Sequence, residues 1–383
     1  MHQLKGGAVV LRIAREEHGE RIVVGLRGGA VWTSLSGMLM LIPLVLALWA
    51  VGFLLLPRLR SCRGGSGRAA AGDLSVIVPA RNEEHNLPAL LGSLAVQTPR
   101  PREIIVVDDG STDRTAEIAA ESGARVIVSK PLPDGWRGKT WACHQGAEAA
   151  AGGLLCFLDA DTSFEPGGLA RMLACHEGGA LSIGPWHAIR QPYENLSLFF
   201  NLNMVAGTVP DGLFGQMLLV ERENYQRAGG HEAVRGKILE NFGLAAHFRE
   251  AGIPVRSVAG RGVLSFRMYP DGLGGLIEGW TKGFASGAGR TPRGVLWIII
   301  LWMIGLMLAP LGLAWSGMDG WWLGIYLACA AQVAWFARQV GGFHWHAALF
   351  YPVPLVFFFA LFARSALRSG KNVTWKGREM RAD

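Results

Sequence analysis

The sequence predicts an α/β domain built on a mostly parallel sheet and flanked by membrane helices. Three observations carry that prediction. From Leu74 onward, short apolar runs of strand length alternate with segments of helical spacing. On either side lie uninterrupted apolar stretches of about 20 residues, the length a helix needs to cross a bilayer. Only 17% of the 383 residues are charged and 50% are hydrophobic, against about 25% charged in an ordinary soluble domain. Such a chain has too few polar side chains to cover a water-facing surface of its size, which argues against an entirely soluble protein.

The elements follow in order. Residues 1–34 show no sustained pattern and no role is assigned to them. Residues 35–56, LSGMLMLIPLVLALWAVGFLLL, carry no charge and read as a transmembrane helix. The stretch starts too far in, and lacks the small-residue cleavage site, for a removed signal peptide. Residues 57–73 are basic and glycine-rich, a flexible linker that puts this side of the membrane in the cytoplasm by the positive-inside rule. The soluble domain is expected over 74–290. Within it LSVIVP (74–79) and IIVVD (104–108) read as strands buried on both faces, with a helix between them in NLPALLGSL. Ser111 or Asp113 can cap a helix through TAEIAAES that stops at Gly123. A third strand is expected over 125–129, a helix around 140–151 and a fourth strand over 154–158. An amphipathic helix near 273–286 is expected at the membrane surface.

Residues 295–363 are expected to hold two or three membrane segments, near 295–315, 321–337 and 347–363. Three full crossings would put the basic tail, 364–383, outside. One segment is therefore expected not to cross, either the Trp321 stretch or the last one, which Pro352 and Pro354 break. Trp297, Trp315, Trp321, Trp322 and Trp345 fall near segment ends, where interfacial aromatic residues gather. The expected location is the cell membrane, multi-pass, with the soluble domain facing the cytoplasm.

The net charge of +7 does not point to nucleic acid. Arg58, Arg60, Arg63, Arg68, Arg364, Arg368, Lys371, Lys376 and Arg378 lie beside apolar runs, where basic residues set topology and attract anionic membrane lipid, and no nucleic-acid module pattern appears. The five cysteines are odd in number and widely spaced, without paired metal-ligand spacing, and read as reduced, buried fillers.

In a parallel α/β sheet, ligands bind beyond the carboxyl ends of the strands, and four polar clusters fall there: Pro79 to Glu83, Asp108 to Ser111, Gly138 to Thr140, and Asp159 to Asp161. Asp159 and Asp161 alternate to one side at the end of an apolar strand. Two unpaired carboxylates there are costly without a cation between them. Hard oxygen ligands suit Mg²⁺ or Mn²⁺, and Mg²⁺ takes one or two carboxylates together with substrate phosphates. A nucleoside diphosphate is the expected ligand. Asp113, by contrast, reads as a helix cap.

PARNEE, VVDDGSTD, GKTWACHQG and DAD, in that order, resemble glycosyltransferase family 2 with its GT-A fold, a Rossmann-like, mostly parallel sheet. The resemblance is strong over about 74–173. It implies that Pro79, Arg81 and Glu83 line the nucleotide pocket of a UDP-sugar, that Asp109 binds the uracil and that Lys139 reaches the nucleotide. It places Asp159 near the ribose, with Asp161 ligating the metal. LSIGPWHAIRQPYENLSLFFNL, GGHEAVRGKILENFGLA, FRMYPDGLGGLIEGWTKGFASGAG and NVTWKGRE narrow the resemblance to the diaponeurosporenoate glycosyltransferases of bacterial carotenoid synthesis. That narrower likeness implies inverting transfer of glucose from UDP-glucose to the carboxyl group of a long, lipid-soluble polyene acid.

Two departures from the wider family matter. Inverting members that glycosylate hydroxyls usually carry Glu-Asp, with the Asp as general base; here the pair is Glu240-Asn241. A hydroxyl nucleophile needs a base within reach, which Glu240 could supply in place of Asn241. A carboxylic acid is already ionised at neutral pH and needs none, so the Asn favours a carboxylate acceptor. The Q-x-x-R-W motif of processive synthases is also missing. EGWTKG stands in its place, with Trp280 as an acceptor platform or an interfacial anchor and Lys282 as a diphosphate contact. His231 reads as a buried or capping histidine before a metal ligand, and His344 and His346 as boundary residues. Tyr193, Phe199, Phe200 and Met204 read as core before an acceptor groove. Transfer to a lipid hydroxyl and an inactive membrane scaffold are the alternatives; a scaffold has no physical reason to keep Asp109, Asp159 and Asp161.

Overall fold

The computed structural model describes residues 12–16, 19–23, 41–62, 71–237, 240–288, 291–368, 373–375 and 378–380. Two short antiparallel strands, β1 (Arg12–Glu16) and β2 (Gly19–Val23), lie in the segment to which the sequence assigned no pattern. The first apolar helix, α1, runs Leu41–Leu59 and tightens to a 3-10 helix from Gly52. Residues 35–40 of the expected 35–56 span lie outside the described residues.

The α/β domain then alternates as its patterning requires. Its elements are β3 (Leu74–Ala80), α2 (Leu87–Ala95), β4 (Glu103–Asp108), α3 (Thr115–Glu121), β5 (Arg125–Val128), α4 (Gly138–Ala149) and β6 (Leu154–Leu158). There follow β7 (Thr162–Phe164), α5 (Gly168–Cys175), β8 (Ala180–Gly184), β9 (Trp186–His187), α6 (Leu198–Thr208), β10 (Met217–Glu221) and α7 (Arg222–Arg227). The last are α8 (Glu240–Glu250), β11 (Val255–Ala259) and β12 (Leu264–Phe266). One seven-stranded sheet has the order β11-β8-β10-β6-β3-β4-β5, and only β10 runs antiparallel to its neighbours. Every residue of β6 is buried, as are all but Pro79 of β3, because helices cover both sheet faces. A smaller sheet, β7-β12-β9, closes the carboxyl-end side.

The rest is helical: α9 (Leu273–Ala288), α10 (Arg293–Trp315), α11 (Gly320–Val340), α12 (Trp345–Leu349) and α13 (Pro352–Arg368), with a terminal hairpin β13 (Val373–Trp375) and β14 (Arg378–Met380). α1, α10 and α11 are long and apolar enough to cross a membrane; α13, at 17 residues, is shorter. The Trp321 stretch is thus a full-length helix, and the last segment is the shorter of the two. At Gly305 the α1 backbone comes so close to α10 that an added Cβ would sit 2.8 Å from the Leu48 Cβ, the small-residue contact that lets apolar helices touch. These helices share one core with α6, including Phe199, Phe200, Trp302, Phe336 and Tyr351.

Two expectations are corrected. The 57–73 linker is tied down at its start: the Arg60 carbonyl accepts from Ala259 N, Ser61 bridges to Ala259, and Cys62 is buried. Residues 63–70 lie outside the described residues. Cys62 and Cys175, read as reduced fillers, form a disulfide, because the anchored segment and the end of α5 bring their Cα atoms to 6.1 Å, within bridging range. Cys143, Cys156 and Cys329 are free and buried.

A candidate nucleotide-sugar site at the strand ends

The polar clusters converge because each follows a parallel strand or opens the helix after one. A cleft of about 240 Å³ is lined by Pro79, Arg81, Glu83, Asp109, Lys139, Asp159 and Asp161. Asn82 turns the chain out of β3 in a left-handed conformation, φ 52°, tolerated by Asn, and its Oδ1 accepts from Thr112 N at 2.8 Å. Asp108 accepts from Ser111 N, which leaves Asp109 to the cleft. The Arg81 guanidinium donates to the Asp109 carbonyl at 2.9 Å and lies 3.6 Å from its carboxylate. Asp113 accepts from Thr115 N and Oγ1 and from Glu84 N; burial opposes ionisation, but these donors hold its pKa below the usual range. Its work is structural, at the start of α3.

Lys139, in the first turn of α4, is the centre of the site. Its Nζ lies 2.7 Å from Asp159 Oδ1 and 3.2 Å from Glu240 Oε1, and it donates to the Gly215 carbonyl at 2.9 Å. Burial disfavours its charge, but the two carboxylates outweigh that and raise its pKa above the ordinary lysine value. Asp159 is fixed in turn by its own N–H on the Gln216 carbonyl and by Thr162 Oγ1 on its carbonyl. Asp161 has no salt-bridge partner among the described residues. Its pKa is pushed up, first by burial and then by the negative charges of Asp159 and Glu83, with Lys139 opposing. The side chain is nevertheless exposed, so water screens part of this shift.

Behind Lys139 a recess of about 20 Å³, room for a single water, is lined by Glu240, Asn241, His231 and Gly215. Asn241 Nδ2 donates to the Leu213 carbonyl at 2.6 Å, a bond an aspartate could not make. His231 is buried against the Tyr225 hydroxyl, 2.9 Å from its Nδ1, and burial lowers its pKa to about 3, leaving it neutral. That neutral, enclosed imidazole has the environment of a core histidine.

Trp280 stands apart from these residues. It is 6% exposed, stacks on Phe200 at 4.6 Å and donates its Nε1–H to Ser197 Oγ, so its ring and its polar handle are both used inside the helical core. Phe199 and Phe200 are fully buried, Met204 packs against the same core, and Tyr193 donates to the Tyr269 and Pro270 carbonyls. Lys282 lies in α9, but its side chain is outside the described residues. His344 Nδ1 pairs with Asn195, and its ring stacks on His346.

Sequence reasoning missed the carbonyls of Leu213, Gly215 and Gln216, which hold Asn241, Lys139 and Asp159. Backbone acceptors leave no side-chain signature; the only hint was the glycine-rich GLFGQ ahead of β10.

Among the described residues no group of three or more His, Cys, Asp or Glu side chains is arranged to hold a metal, and Asp159 already carries Lys139. The surplus negative charge around Asp161 is what a cation shared with a diphosphate would neutralise.

The glycosyl transferase family 2 model matches residues 75–198. The chain is 35% identical over 329 residues to the 4,4'-diaponeurosporenoate glycosyltransferase of Staphylococcus aureus strain MRSA252, covering 80% of this chain and 88% of that protein. Among solved structures, the mannosyltransferase PcManGT from Pyrobaculum calidifontis, in complex with GDP-Man and Mn²⁺, is 18% identical, covers 86% of this chain and 99% of its own, and superposes with a TM-score of 0.49. Glucosyl-3-phosphoglycerate synthase from Mycobacterium tuberculosis, in complex with Mn²⁺, UDP-Glc and phosphoglyceric acid, is 22% identical over 57% of this chain and 79% of that one, with a TM-score of 0.35.

Proposed function

The chain belongs to glycosyltransferase family 2, and from that premise we propose that it transfers a hexose from a UDP-sugar to the carboxyl group of an apolar carotenoid acid, with inversion. The observation that carries this reading is the convergence of Asp109, Lys139, Asp159 and Asp161 on one cleft at the strand ends. The chemistry of the 35%-identical relative, whose name specifies a polyene carboxylate, supports the acceptor.

In this reading Pro79, Arg81 and Glu83 shape the nucleotide pocket and Asp109 faces the uracil. Asp161, with Asp159 beside it, holds Mg²⁺ or Mn²⁺, which when bound supplies positive charge for the departing diphosphate. Lys139 adds a second, permanent charge from the protein itself. That same lysine already engages Glu240, at 3.2 Å. Asn241 cannot accept a proton. A hydroxyl acceptor would therefore find no unengaged base in this recess, whereas a carboxylate brings its own negative charge. One carboxylate oxygen forms the new bond to the anomeric carbon as the bond to the β-phosphate oxygen breaks, UDP leaves with the electron pair, and no proton need move.

The helices support a reading of the membrane arrangement. α10, at 23 residues, is roughly 34 Å long, enough to cross the hydrocarbon. Trp315 and Trp321 are exposed at one end of the α10–α11 pair, and Trp297 and Trp335 are exposed near the other. After α11 the chain returns to the α/β domain, where Gly341 bridges to His187. α13 packs along α9, with Ser365 Oγ donating to the Thr281 carbonyl. Three crossings by α1, α10 and α11, with α13 on the domain's side, leave the basic tail beside the catalytic domain in the cytoplasm, in accord with the positive-inside rule. An acceptor dissolved in that leaflet reaches the cleft from the helical side.

The test is expression in a bacterium that makes a carotenoid acid but does not glycosylate it. Base-labile glycosyl esters are expected with the wild-type chain and not with Asp161→Ala. Glycosylated lipid alcohols alone would overturn the reading.

A further inference from the structure

His231 is core on one side only. It lies in a 3-10 turn, Gly230–Val234, packed against α4 and α8. Gly230 lets the Tyr225 ring lie on that turn, since a Cβ there would meet Tyr225 Cζ at 2.6 Å. The Tyr225 hydroxyl accepts from His231 N at 3.0 Å, so its own hydrogen goes to His231 Nδ1 at 2.9 Å. Burial keeps the ring uncharged. With Nδ1 accepting, the neutral ring carries its proton on Nε2. That nitrogen has no hydrogen-bond partner among the described residues, yet it is not sealed off from open space. The cavity that His231 lines is the recess behind Lys139.

The recess has a second unspent group. Glu240 turns Oε1 to Lys139 at 3.2 Å, and its Oε2 has no partner among the described residues. Lys139 has no hydrogen left to offer, because its three go to Asp159, Glu240 and the Gly215 carbonyl. A buried donor and a buried acceptor thus line a space of about 20 Å³, room for one oxygen atom. Leaving such groups unpaired in a closed site is costly. A hydroxyl satisfies both at once, giving its hydrogen to Glu240 and taking one from His231; a carboxylate oxygen only accepts. Pro79, Lys139 and Asp159 line the recess and the cleft alike, so the two spaces adjoin.

Resting on the function proposed above, we propose that the recess takes one hydroxyl of the donor hexose, held between His231 Nε2–H and Glu240 Oε2, which makes His231 a specificity-determining residue for the sugar. An epimer that turns this hydroxyl away leaves both buried groups unpaired, the loss by which a hydrogen-bonding site rejects an analogue. The sugar then lies across the mouth of the recess, and the acceptor meets it there.

The experiment titrates UDP, UDP-glucose and the set of UDP-monodeoxyglucoses into the purified full chain in lipid nanodiscs with Mn²⁺, by calorimetry, with transfer to a carotenoid acid measured alongside. His231→Asn keeps an acceptor for the Tyr225 hydroxyl and removes Nε2, whereas His231→Gln puts an amide nitrogen where Nε2 stands. His231→Asn is expected to weaken UDP-glucose by roughly tenfold, as loss of a buried hydrogen bond does, and to leave UDP at its wild-type affinity. One monodeoxy analogue should bind wild type and His231→Asn alike, and His231→Gln should restore most of the loss. Wild-type affinity of His231→Asn for UDP-glucose would overturn the assignment. So would an equal loss for UDP and UDP-glucose, which marks a structural role, and so would a raised KM for the acid alone, which puts the acceptor in the recess. Failure of the wild-type chain to bind either nucleotide would overturn the function proposed above together with this inference. The expected sugar pattern in a chain that glycosylates only the matching alcohol would overturn the acceptor reading and leave this inference standing.

Discussion

The strand-end cleft and the helical unit solve opposite problems with the same chain. In the cleft, polar groups are gathered where apolar strands stop, and those around Asp161 are restrained by partners: Asp159 and Glu240 by Lys139, Arg81 by Asp109, Asn241 by a backbone carbonyl. In the helical unit, aromatic rings consume one another's surfaces, and polar atoms are satisfied singly, as Trp280 is by Ser197 and Trp302 by Gln332. The difference teaches that residue type alone does not locate function. Trp280 looks like a binding platform and is core, whereas Asn241 looks inert and stands in the recess behind Lys139.

Substitutions can break or sharpen this contrast. The largest effect is expected for Asp161→Ala, which removes the cleft's unpaired carboxylate: transfer should fall by roughly 10³-fold or more, the scale of losing a group that stabilises transition-state charge, with the Tm little changed. Radiolabelled sugar transfer measures it, and activity within tenfold of wild type would remove Asp161 from the site. Asn241→Asp comes next. It sets a carboxylate against the Leu213 carbonyl and repels an anionic acceptor, so transfer to a carotenoid acid should drop on the order of tenfold; unchanged or raised activity would show that the site can use a base. Trp280→Phe belongs to the helical unit and should cost about 1 kcal/mol of stability, from the lost Ser197 hydrogen bond, with kcat/KM for the donor unmoved. A raised KM for UDP-sugar would return Trp280 to the binding site.

The smallest effect is a pH dependence. The pKa of Asp161 is raised above its unfolded value by burial and by its acidic neighbours. The cation-free fold therefore has this stabilisation in full below about pH 4 and loses it as pH rises through the raised value. A cation relieves the same repulsion, so the rise in Tm on adding Mn²⁺ should be a few degrees larger at pH 8 than at pH 5. Equal increments at both pH values would argue that Asp161 does not bind the ion.

The sheet was legible because strands buried on both faces write continuous apolar runs, and the cleft was legible because polar residues at strand ends have nowhere else to point. What stayed hidden depends on distance along the chain. The Lys139–Glu240 pair spans about 100 residues, the Cys62–Cys175 disulfide 113, and neither has a local pattern. Which nitrogen of His231 stays free has no signature either, since the Tyr225 hydroxyl decides it. In the helical unit, apolar length announced the crossings, but whether an aromatic ring lines a groove or fills a core is decided by neighbours on other helices.

The account turns on a carboxylate acceptor meeting a recess in which Lys139 engages Glu240 and an asparagine, Asn241, stands beside it. Its most direct test is competition: purified wild-type chain in nanodiscs, UDP-glucose, Mn²⁺, and equal amounts of a carotenoid acid and its alcohol, with products resolved by mass spectrometry before and after mild alkali. The predicted result is a glycosyl product formed from the acid and cleaved by alkali, with the alcohol left unreacted. A product stable to alkali, formed from the alcohol in preference to the acid, would contradict it.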